Sequence, residues 1–377
     1  MNIPFNKPHM TGKELWYIAQ AHHGGQLSGD GPFTKKCNTW LEKRTSAKKA
    51  LLTHSCTAAL EMTAILAEIA PGDEVIMPSY TFVSTANAFV LRGAVPVFID
   101  IRPDTLNIDE ARIEAAITSR TKAIVVVHYA GVGCEMDTIM EIANRHKLIV
   151  IEDAAQGLMA RYKGRALGSI GQMSTLSFHE TKNVVSGEGG ALLINDLEFA
   201  ERAEIIREKG TNRSQFFRGQ VDKYTWVDVG SSYLPGEIIA AFLWAQLEDA
   251  THITTRRMVL WERYHEAFEE LEAQDKVRRP IIPNECEHNA HMYYLLLPSL
   301  EARTKFIAAL RAKDIGAVFH YVPLHSSPAG QKFGRTAGAM LHTDALSDRL
   351  VRLPLWPDLG KQQHAVVDAV MEAARDM

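Results

Sequence analysis

The sequence lacks the features that would tie it to a membrane or to nucleic acid. No hydrophobic run reaches the roughly eighteen residues that cross a bilayer, and the N-terminus has no apolar segment of signal-peptide length. Acidic residues outnumber basic ones by 45 to 41, so no basic excess points to nucleic acid or to an anionic surface. We therefore expect a cytoplasmic protein with neither a nucleic-acid nor a membrane partner.

Cysteine is also scarce, and the four residues lie far apart in the chain. No two of them form a C-x-x-C pair, which argues against the common zinc sites and favours a reducing compartment. The sequence therefore predicts no metal site. The four residues are Cys37, Cys56, Cys134 and Cys286.

The composition is that of an ordinary soluble globular protein, with 46% apolar and 23% charged residues. A chain of 377 residues is too long for one simple core, so we expect a large and a small domain. We assign residues 1–250 to a large domain with a central sheet and residues 251–377 to a smaller α+β domain.

Short apolar runs alternate with amphipathic stretches through the first half of the chain. Apolar runs bounded by turn residues are typical of buried strands, and the stretches between them are typical of covering helices. This alternation predicts an α/β fold with a mainly parallel sheet covered on both faces. The predicted strands here are Ala50–Thr53, Glu74–Met77, Val95–Asp100, Ala123–His128 and Leu148–Glu152.

The pattern changes in the second half of the chain. Residues 210–233 form a long polar and aromatic segment, and segments of this length are usually functional or interfacial. One helix over roughly 236–271 is predicted to connect the two domains. His291–Leu297 and Ala317–Val322 are predicted strands of the small domain.

One lysine, Lys182, stands between two predicted buried strands, Met173–Phe178 and Ala191–Ile194. A desolvated lysine can lose its charge and become a nucleophile that forms a Schiff base with a carbonyl compound. Taken alone, a surface-loop lysine is the simpler interpretation. The other polar residues at predicted strand ends decide between the two.

An acidic residue, Asp153, directly follows the apolar strand Leu148–Glu152. A carboxylate buried there needs a cationic partner, which could be a protonated pyridine nitrogen or a structural arginine. Gln156 could hydrogen-bond an oxygen on such a ring. Capping of the next segment is the alternative role of Asp153.

Two further features could hold a flat, phosphorylated cofactor. Ser55, Cys56 and Thr57 lie between a strand and the start of a helix, where backbone N–H groups and hydroxyls favour an anion. A simple helix cap explains the same residues. Phe82 follows a strand end and could stack on a ring, although core packing is its common role.

These signals are weak singly and more specific in combination. A phosphate-type turn, an aromatic residue, an Asp-x-x-Gln motif and a Ser-x-x-x-x-Lys motif follow one another at the carboxyl ends of strands, where ligands bind in such sheets. The combination predicts a pyridoxal phosphate (PLP) site. Lysine would carry the aldehyde, aspartate would hold the pyridinium proton, and the protonated ring would act as an electron sink.

Three motifs carry a resemblance to a known family: Pro78–Phe82, Glu152–Gln156 and Ser177–Gly190. They are similar to segments of the nucleotide-sugar aminotransferases of the DegT/DnrJ/EryC1/StrS family, which have the type I, aspartate aminotransferase-like fold. The likeness extends over essentially the whole chain. Further segments are closest to members that aminate C4 of a dTDP-sugar: Gly29–Gly31, Met77–Arg92, His128–Gly131 and Glu208–Gly219.

The resemblance implies a role for each matching residue. Lys182 would be the Schiff-base lysine and the proton shuttle, and Asp153 would pair with the pyridinium nitrogen. The remaining cofactor contacts would come from Cys56, Thr57 and Ser177 to the phosphate, Phe82 and Gln156 to the ring, and Ser231 of a neighbouring subunit, where many members have asparagine.

The reaction implied is a ping-pong transfer within a homodimer that has shared active sites. L-Glutamate would donate the amino group, and dTDP-4-dehydro-6-deoxy-D-glucose would become dTDP-4-amino-4,6-dideoxy-D-galactose. The product would feed a surface polysaccharide such as enterobacterial common antigen. The basic residues Lys209, Arg213 and Arg218 could bind the diphosphate or a carboxylate, or could form a solvated loop.

Three alternatives remain beside this reaction. A sugar 3-dehydratase of the same fold has histidine in place of the Schiff-base lysine, and position 182 is lysine. An aminotransferase acting at C3, or with another outcome at C4, differs in pocket shape, which motifs do not reveal. A non-catalytic PLP-binding sensor would not need both the lysine and the strand-end aspartate.

Overall fold

The structure is a computed structural model that describes residues 2–375; Met1, Asp376 and Met377, at the outer ends of the two predicted domains, lie outside the described residues. Within that range, no helix is both long and apolar enough to cross a bilayer. The α-helices are α1 Glu14–Gly24, α2 Pro32–Thr45, α3 Cys56–Leu66, α4 Val83–Val90, α5 Ile113–Ala116, α6 Met136–His146, α7 Ala200–Arg207, α8 Arg213–Phe217, α9 Glu237–Glu248, α10 Ala250–Ala267, α11 Glu269–Ala273, α12 Leu300–Ala312, α13 Pro328–Phe333, α14 Leu341–Arg349 and α15 Gln362–Arg375.

The strands form one large sheet and two small ones. Three strands of the large sheet, Glu74–Pro78, Met173–Ser177 and Gly190–Ile194, are buried along their whole length, as continuous apolar runs predict. The strands are β1 Lys49–Thr53, β2 Glu74–Pro78, β3 Val95–Ile99, β4 Thr121–Val127, β5 Ile149–Asp153, β6 Arg161–Tyr162, β7 Arg165–Ala166, β8 Met173–Ser177, β9 Gly190–Ile194, β10 Cys286–Glu287, β11 Tyr293–Leu296, β12 Arg335–Thr336 and β13 Leu350–Leu353.

The central sheet has the order β1-β9-β8-β5-β4-β2-β3-β12. Its inner strands pair in parallel, and β9 runs antiparallel to both of its neighbours, β1 and β8. The prediction of a mainly parallel α/β sheet is therefore confirmed. Because the parallel strands end at one edge, the residues after β4, β5 and β8 come together there.

Helices cover this sheet through regular apolar faces. In α6, for example, Met136, Ile139, Ile142 and Ala143 are buried at the spacing of one helix face. The helix ends where Lys147 adopts a left-handed conformation with φ of 55°. Segments of this kind are the ones that the sequence predicted well.

The single helix expected over 236–271 is instead three helices, α9, α10 and α11. The first break is at Asp249, whose φ of −103° and ψ of 5° leave the helical region. Leu247 belongs to the core beside the central sheet, whereas Trp261 belongs to a second core in the C-terminal part. The break lets consecutive amphipathic helices serve two different cores, which helical periodicity alone does not show.

The predicted strand Ala317–Val322 is wrong. Only Val318 pairs in β fashion, through an isolated bridge to Arg352. The rings of His320 and Tyr321 stack with their centroids 3.6 Å apart. Consecutive side chains of a strand point to opposite faces, so this stacking is incompatible with the strand geometry that the apolar pattern suggested.

The C-terminal part has a hydrophobic core of its own, although another apolar cluster joins Tyr80 and Tyr129 to Tyr294, and the division into a large and a small domain stays a prediction. The C-terminal core is built mainly from α10, α12, α15, β11 and β13 and also contains Ile3, which bridges to Ile315. Conversely, the short strand β12 of the C-terminal part joins the edge of the large sheet beside β3. Both connections cross the boundary that we place at residue 250.

Candidate active site

A cavity of about 860 Å³ opens at the carboxyl edge of the central sheet. Val127, Asp153 and Ser177, the last residues of β4, β5 and β8, all line it. The N-terminus of α3 forms another wall. Residues of the C-terminal part close the far side, among them His291, His320, Tyr321 and Arg352.

Lys182 lies in the turn between β8 and β9 and projects into this cavity. Its backbone N–H donates to the carbonyl of His179 at 2.9 Å, which fixes the turn. Burial lowers the pKa of Lys182, since the ammonium loses water, and the charges of Cys56 and Asp153 only partly oppose this effect. Lys182 is half-buried in the cavity lining, which disagrees with its interpretation as a solvated surface lysine.

Asp153 is buried and has few hydrogen-bond partners. Its Oδ2 accepts a hydrogen bond from the Thr85 hydroxyl at 2.7 Å, and its Oδ1 accepts one from the Ala155 N–H at 3.2 Å. Burial raises the pKa of Asp153, against the hydrogen bonds and the nearby charge of Lys182. The carboxylate thus lies in the cavity wall with capacity for a cationic partner.

The neighbouring carboxylate, Glu152, is fully hydrogen-bonded behind the cavity. It accepts hydrogen bonds from the N–H groups of Gly168, Ile170 and Gly171 at 2.6–2.8 Å and contacts His128 Nε2 at 2.8 Å. The Cys134 N–H donates to His128 Nδ1, so Nε2 carries the proton of this imidazole. This network anchors the end of β5 from its rear face.

Gln156 connects the two sides of the cavity. Its Oε1 accepts the Ala130 N–H at 2.6 Å, and its Nε2 donates to the hydroxyl of Tyr321 at 2.9 Å. The amide is therefore held in one orientation, with one N–H of the Nε2 group left for another partner. Its position in the cavity lining agrees with the predicted ring contact.

The helix start at Ser55–Thr57 has the cap that the sequence suggested, and its anion-binding role stays a prediction. Ser55 caps α3, because its hydroxyl accepts the N–H of Ala58 at 3.0 Å. Cys56 and Thr57 follow in the first turn, where N–H groups have no intrahelical acceptor. The Thr57 hydroxyl also meets that of Ser84 at 2.7 Å, so hydroxyls and N–H groups converge on one spot.

Glycine at position 190 allows β9 to pass directly beside this helix start. A Cβ on Gly190 would lie 2.4 Å from the backbone N of Cys56. No larger residue fits without moving α3. The close approach places Ser177, which pairs with Gly190 across the β8–β9 ladder, next to the first turn of α3.

Phe82 lies at the cavity mouth, and core packing does not explain it. The residue precedes α4 and is 57% exposed. Its ring centroid is 6.3 Å from that of Tyr321, and both residues line the cavity. A flat ligand can therefore stack there.

Four predicted site residues do not line the cavity of their own chain. Ser231 is exposed, and its N–H and carbonyl pair with the backbone of Ile206 and Lys209. Lys209 and Arg213 lie 3.5 and 3.7 Å from Glu208, and Arg218 lies 2.8 Å from Glu204. If these four residues contribute to catalysis, they do so at the cavity of another subunit.

Comparison with known proteins identifies the chain. A model of the DegT/DnrJ/EryC1/StrS aminotransferase family matches residues 8–371. The chain belongs to this family. It is a PLP-dependent sugar aminotransferase of the type I fold, so the fold and cofactor predictions are confirmed.

Individual relatives match over the same length. The spore coat polysaccharide biosynthesis protein SpsC of Bacillus subtilis is 35% identical over 386 aligned positions, which cover 100% of this chain and 97% of SpsC. The aminotransferase TlmJ of Streptoalloteichus hindustanus superposes with a TM-score of 0.91 at 27% identity, with 100% of both chains covered. Spr1654 of Streptococcus pneumoniae, solved in a PLP form, has a TM-score of 0.89 at 26% identity, covering 100% and 99%.

The residues around the cavity of this aminotransferase fit PLP. The half-buried Lys182 suits the aldehyde, and Asp153, which accepts only two hydrogen bonds, suits the ring nitrogen. The first turn of α3, together with the hydroxyls of Thr57 and Ser177, suits the phosphate. When bound, PLP supplies an electron sink for the carbanion formed at a substrate carbon.

Sequence reasoning missed the part of the site that comes from distant segments. Thr85, which holds Asp153, is one helical turn after Thr81, and their hydroxyls lie 2.8 Å apart, a spacing that could have been noticed. Tyr129 contacts His320 Nδ1 at 2.7 Å. His291, Tyr321 and Arg352 lie in segments without a local signal, so only the folded chain reveals them.

Proposed function

We propose that this aminotransferase converts dTDP-4-dehydro-6-deoxy-D-glucose to dTDP-4-amino-4,6-dideoxy-D-galactose with L-glutamate as amino donor. The protein would then be a dTDP-4-amino-4,6-dideoxygalactose transaminase. The observation that carries the proposal is the half-buried Lys182, which lines the same cavity as Asp153 and Gln156 and suits amino-group chemistry on PLP. The choice of sugar rests on the motif resemblance, including Glu208–Gly219.

Each cavity residue has a defined task in this proposal. Lys182, with its lowered pKa, is the base that moves a proton at the carbon receiving the amino group. Asp153 holds the proton of the ring nitrogen, and Gln156 orients the ring through its fixed amide. Cys56, Thr57 and Ser177 bind the phosphate, and Phe82 covers one ring face.

The product is proposed to enter surface polysaccharide synthesis. SpsC, which aligns along the whole chain, is a spore coat polysaccharide biosynthesis protein. An amino sugar made as a nucleotide derivative is the form in which such a polymer receives it. Enterobacterial common antigen is the specific polymer implied by the resemblance.

We also propose that the enzyme is a homodimer with shared active sites. The segment 210–233 exposes large apolar side chains, including Phe217 and Trp226, the latter 77% exposed. Exposed apolar residues grouped in this way are typical of an interface. Arg213, Arg218 and Ser231 lie on this segment, Lys209 directly precedes it, and all four would reach the partner's cavity. Light scattering that gives the mass of a monomer would reject this arrangement.

The decisive experiment is product analysis by NMR. Purified protein is incubated with PLP, L-glutamate and dTDP-4-dehydro-6-deoxy-D-glucose, and the position and configuration of the new amine are read from coupling constants. We expect an axial amine at C4. An equatorial amine at C4 would reject the assigned product. No product from this 4-keto sugar, together with amination of its 3-keto isomer, would support the alternative aminotransferase that acts at C3.

Lys182→Ala tests the central residue. We expect it to remove steady-state transamination while circular dichroism and the unfolding transition remain those of a folded protein. Turnover by this variant would refute the assignment of Lys182. Wild-type protein whose bound PLP shows no absorbance change with any amino acid would instead favour the PLP-binding sensor.

A further inference from the structure

None of the three basic side chains that line the cavity, Lys182, Arg257 and Arg352, forms an ion pair within the described residues, and Arg352 also has donors left over. Arg352 belongs to β13, and its Nε and Nη2 both donate to the carbonyl oxygen of Phe319, at 3.3 and 3.0 Å. Across residues 2–375, no carboxylate lies within ion-pair distance of this guanidinium. A guanidinium has more N–H donors than one carbonyl oxygen can accept, so part of its capacity is unused.

The surroundings of Arg352 disfavour an unbalanced charge. The guanidinium lies 4.7 Å from the ring centroid of Phe5 and is half-buried in the cavity wall. Burial lowers the pKa of Arg352, although the hydroxyls of Tyr129 and Tyr321 oppose this shift. Its charge also contributes to the lowered pKa of Lys182, so the two cations interact through the cavity.

The acidic residues of the cavity lining do not balance this charge. Only Asp153 and Glu188 among the lining residues are acidic, against Lys182, Arg257 and Arg352. Asp153 is held by Thr85 and Ala155. The Glu188 side chain is 72% exposed and lies 3.7 Å from His179.

Two other arginines, Arg207 and Arg257, are more deeply buried than Arg352, and each donates to at least two acceptor oxygens. Arg257 is 3% exposed and donates to the carbonyls of Ala290 and His291 at 3.0 and 2.7 Å. Arg207 forms a two-point pair with Asp30 at 2.6 and 2.8 Å. Arg352 combines an open face toward the cavity with the absence of such a pairing partner.

We propose that Arg352 binds the carboxylate of a substrate inside this cavity; the inference rests on the proposed aminotransferase function, in which the donor is an amino acid. A guanidinium matches a carboxylate through two parallel N–H···O bonds and stays charged under all assay conditions. The ligand would neutralise a cation that the protein leaves unbalanced. Two sources share this chemistry: the amino donor and a sugar that is oxidised to a carboxylate.

The donor half-reaction tests the proposal without any sugar. For Arg352→Gln we expect the apparent dissociation constant of L-glutamate to rise by about 10- to 100-fold, the loss typical of a charge-assisted hydrogen-bond pair. The limiting rate should change little, since Arg352 binds rather than transfers protons. Arg352→Lys keeps the charge but lacks the paired N–H donors of a guanidinium. Its dissociation constant for L-glutamate should lie between those of wild type and Arg352→Gln.

Arg303→Gln is the matched control. The Arg303 guanidinium lies 5.7 Å from the ring centroid of Phe319, the residue whose carbonyl accepts the hydrogen bonds of Arg352. Arg303 is not part of the cavity lining. It should leave the dissociation constant of L-glutamate unchanged. An equal loss in both variants would show that the effect comes from disturbance of this region and would overturn the proposal.

Analogues and a binding measurement identify the source of the carboxylate. Calorimetry of the cofactor-free protein with 2-oxoglutarate should show weaker binding in Arg352→Gln than in wild type. L-Isoglutamine and L-glutamine, which replace one carboxylate each by an amide, reveal which carboxylate is bound, because the matching amide is insensitive to Arg352→Gln. A loss confined to a nucleotide hexuronate, with L-glutamate and a neutral nucleotide hexose unaffected, assigns the carboxylate to the sugar.

Unchanged binding of L-glutamate, 2-oxoglutarate and the hexuronate in Arg352→Gln would overturn the proposal. Failure of the proposed function looks different, since it concerns the neutral 4-keto sugar. Wild-type protein that does not aminate this sugar, but whose L-glutamate step depends on Arg352, rejects the assigned sugar and retains the role of Arg352.

Discussion

Glu152 and Asp153 are consecutive acidic residues at the end of β5, and both are buried, yet they meet opposite environments. Burial alone would raise the pKa of Glu152, but the contact with His128 and the N–H groups of Gly171 and Gly168 bring it below its ordinary value. For Asp153 burial prevails, and its pKa is raised.

The alternation of side chains along a strand explains how neighbours can differ so much. One face of β5 presents Glu152 to a closed network of backbone donors, and the other presents Asp153 to the cavity. A buried carboxylate whose donors are all supplied by the protein holds structure together. A buried carboxylate that lacks them is ready for a cationic ligand.

The largest expected effect comes from Asp153→Asn, which breaks the functional side of the comparison. Asparagine keeps the volume and the acceptor for Thr85 but cannot hold a cationic ring nitrogen as an anion does. We expect kcat/KM to fall by roughly 10²–10³-fold, as for removal of a preorganised electrostatic contact. Steady-state kinetics at saturating PLP measure this, and near-normal rates would remove the proposed role.

The same substitution should stabilise the cofactor-free protein. Because the pKa of Asp153 is raised in the folded state, stability is lost as pH rises from the ordinary value of 3.8 through the raised pKa. The asparagine side chain of the variant does not titrate and escapes this loss. Urea unfolding above that range should therefore show a higher free energy of unfolding than in wild type.

Glu152→Gln breaks the structural side and should have the opposite consequence. The amide NH₂ would face backbone N–H groups that now donate to a carboxylate, so we expect a loss of about 3 kcal/mol in the free energy of unfolding. The deficit should shrink as pH falls below the ordinary value of 4.5, since the lowered pKa of Glu152 means that its stabilising effect is lost on acidification.

Glu188→Gln serves as the control for this variant, because the Glu188 side chain is 72% exposed. It should leave the free energy of unfolding within experimental error. Equal stability of Glu152→Gln and Glu188→Gln would contradict the anchoring role that we assign to the network behind β5.

Lys182→Met extends the comparison to the cation of the site, with a smaller effect on stability. The lowered pKa of Lys182 means that stability is lost as pH falls from the ordinary value of 10.5 toward that lowered pKa. The cofactor-free variant should thus be more stable than wild type at neutral pH, and the gap should close as pH rises toward 10.5. Lys305→Met, at an exposed position, should show no such pH-dependent gap.

The smallest effect is expected from Thr85→Val, which sharpens the comparison by removing one of the two donors to Asp153. Valine preserves the shape but removes the hydrogen bonds of the Thr85 hydroxyl to Asp153 and to Thr81, and the bond to Asp153 is worth about 1 kcal/mol. Equilibrium dialysis should show PLP binding weakened by about 5-fold. An unchanged dissociation constant would mean that Thr85 does not position Asp153 for the cofactor.

The sequence was sufficient for elements whose signal is local. Apolar runs such as Leu148–Glu152 predicted the buried strands, and the residues at their ends predicted Lys182, Asp153, Gln156 and the turn at Ser55 as cavity residues. It failed where packing overrides periodicity. The break at Asp249 and the non-strand at His320 and Tyr321 depend on which surface each segment meets.

Sequence alone therefore determined the α/β class, the order along the chain of the polar residues that follow the strands, and the family to which the chain belongs. Periodicity and motif spacing are properties of the chain itself. Tertiary structure alone decided that Thr85 holds Asp153, that Glu152 is closed off behind it, and that Arg352 enters the cavity without an acidic partner. Those features depend on contacts between residues far apart in the chain, and local patterns carry no information on where such partners meet.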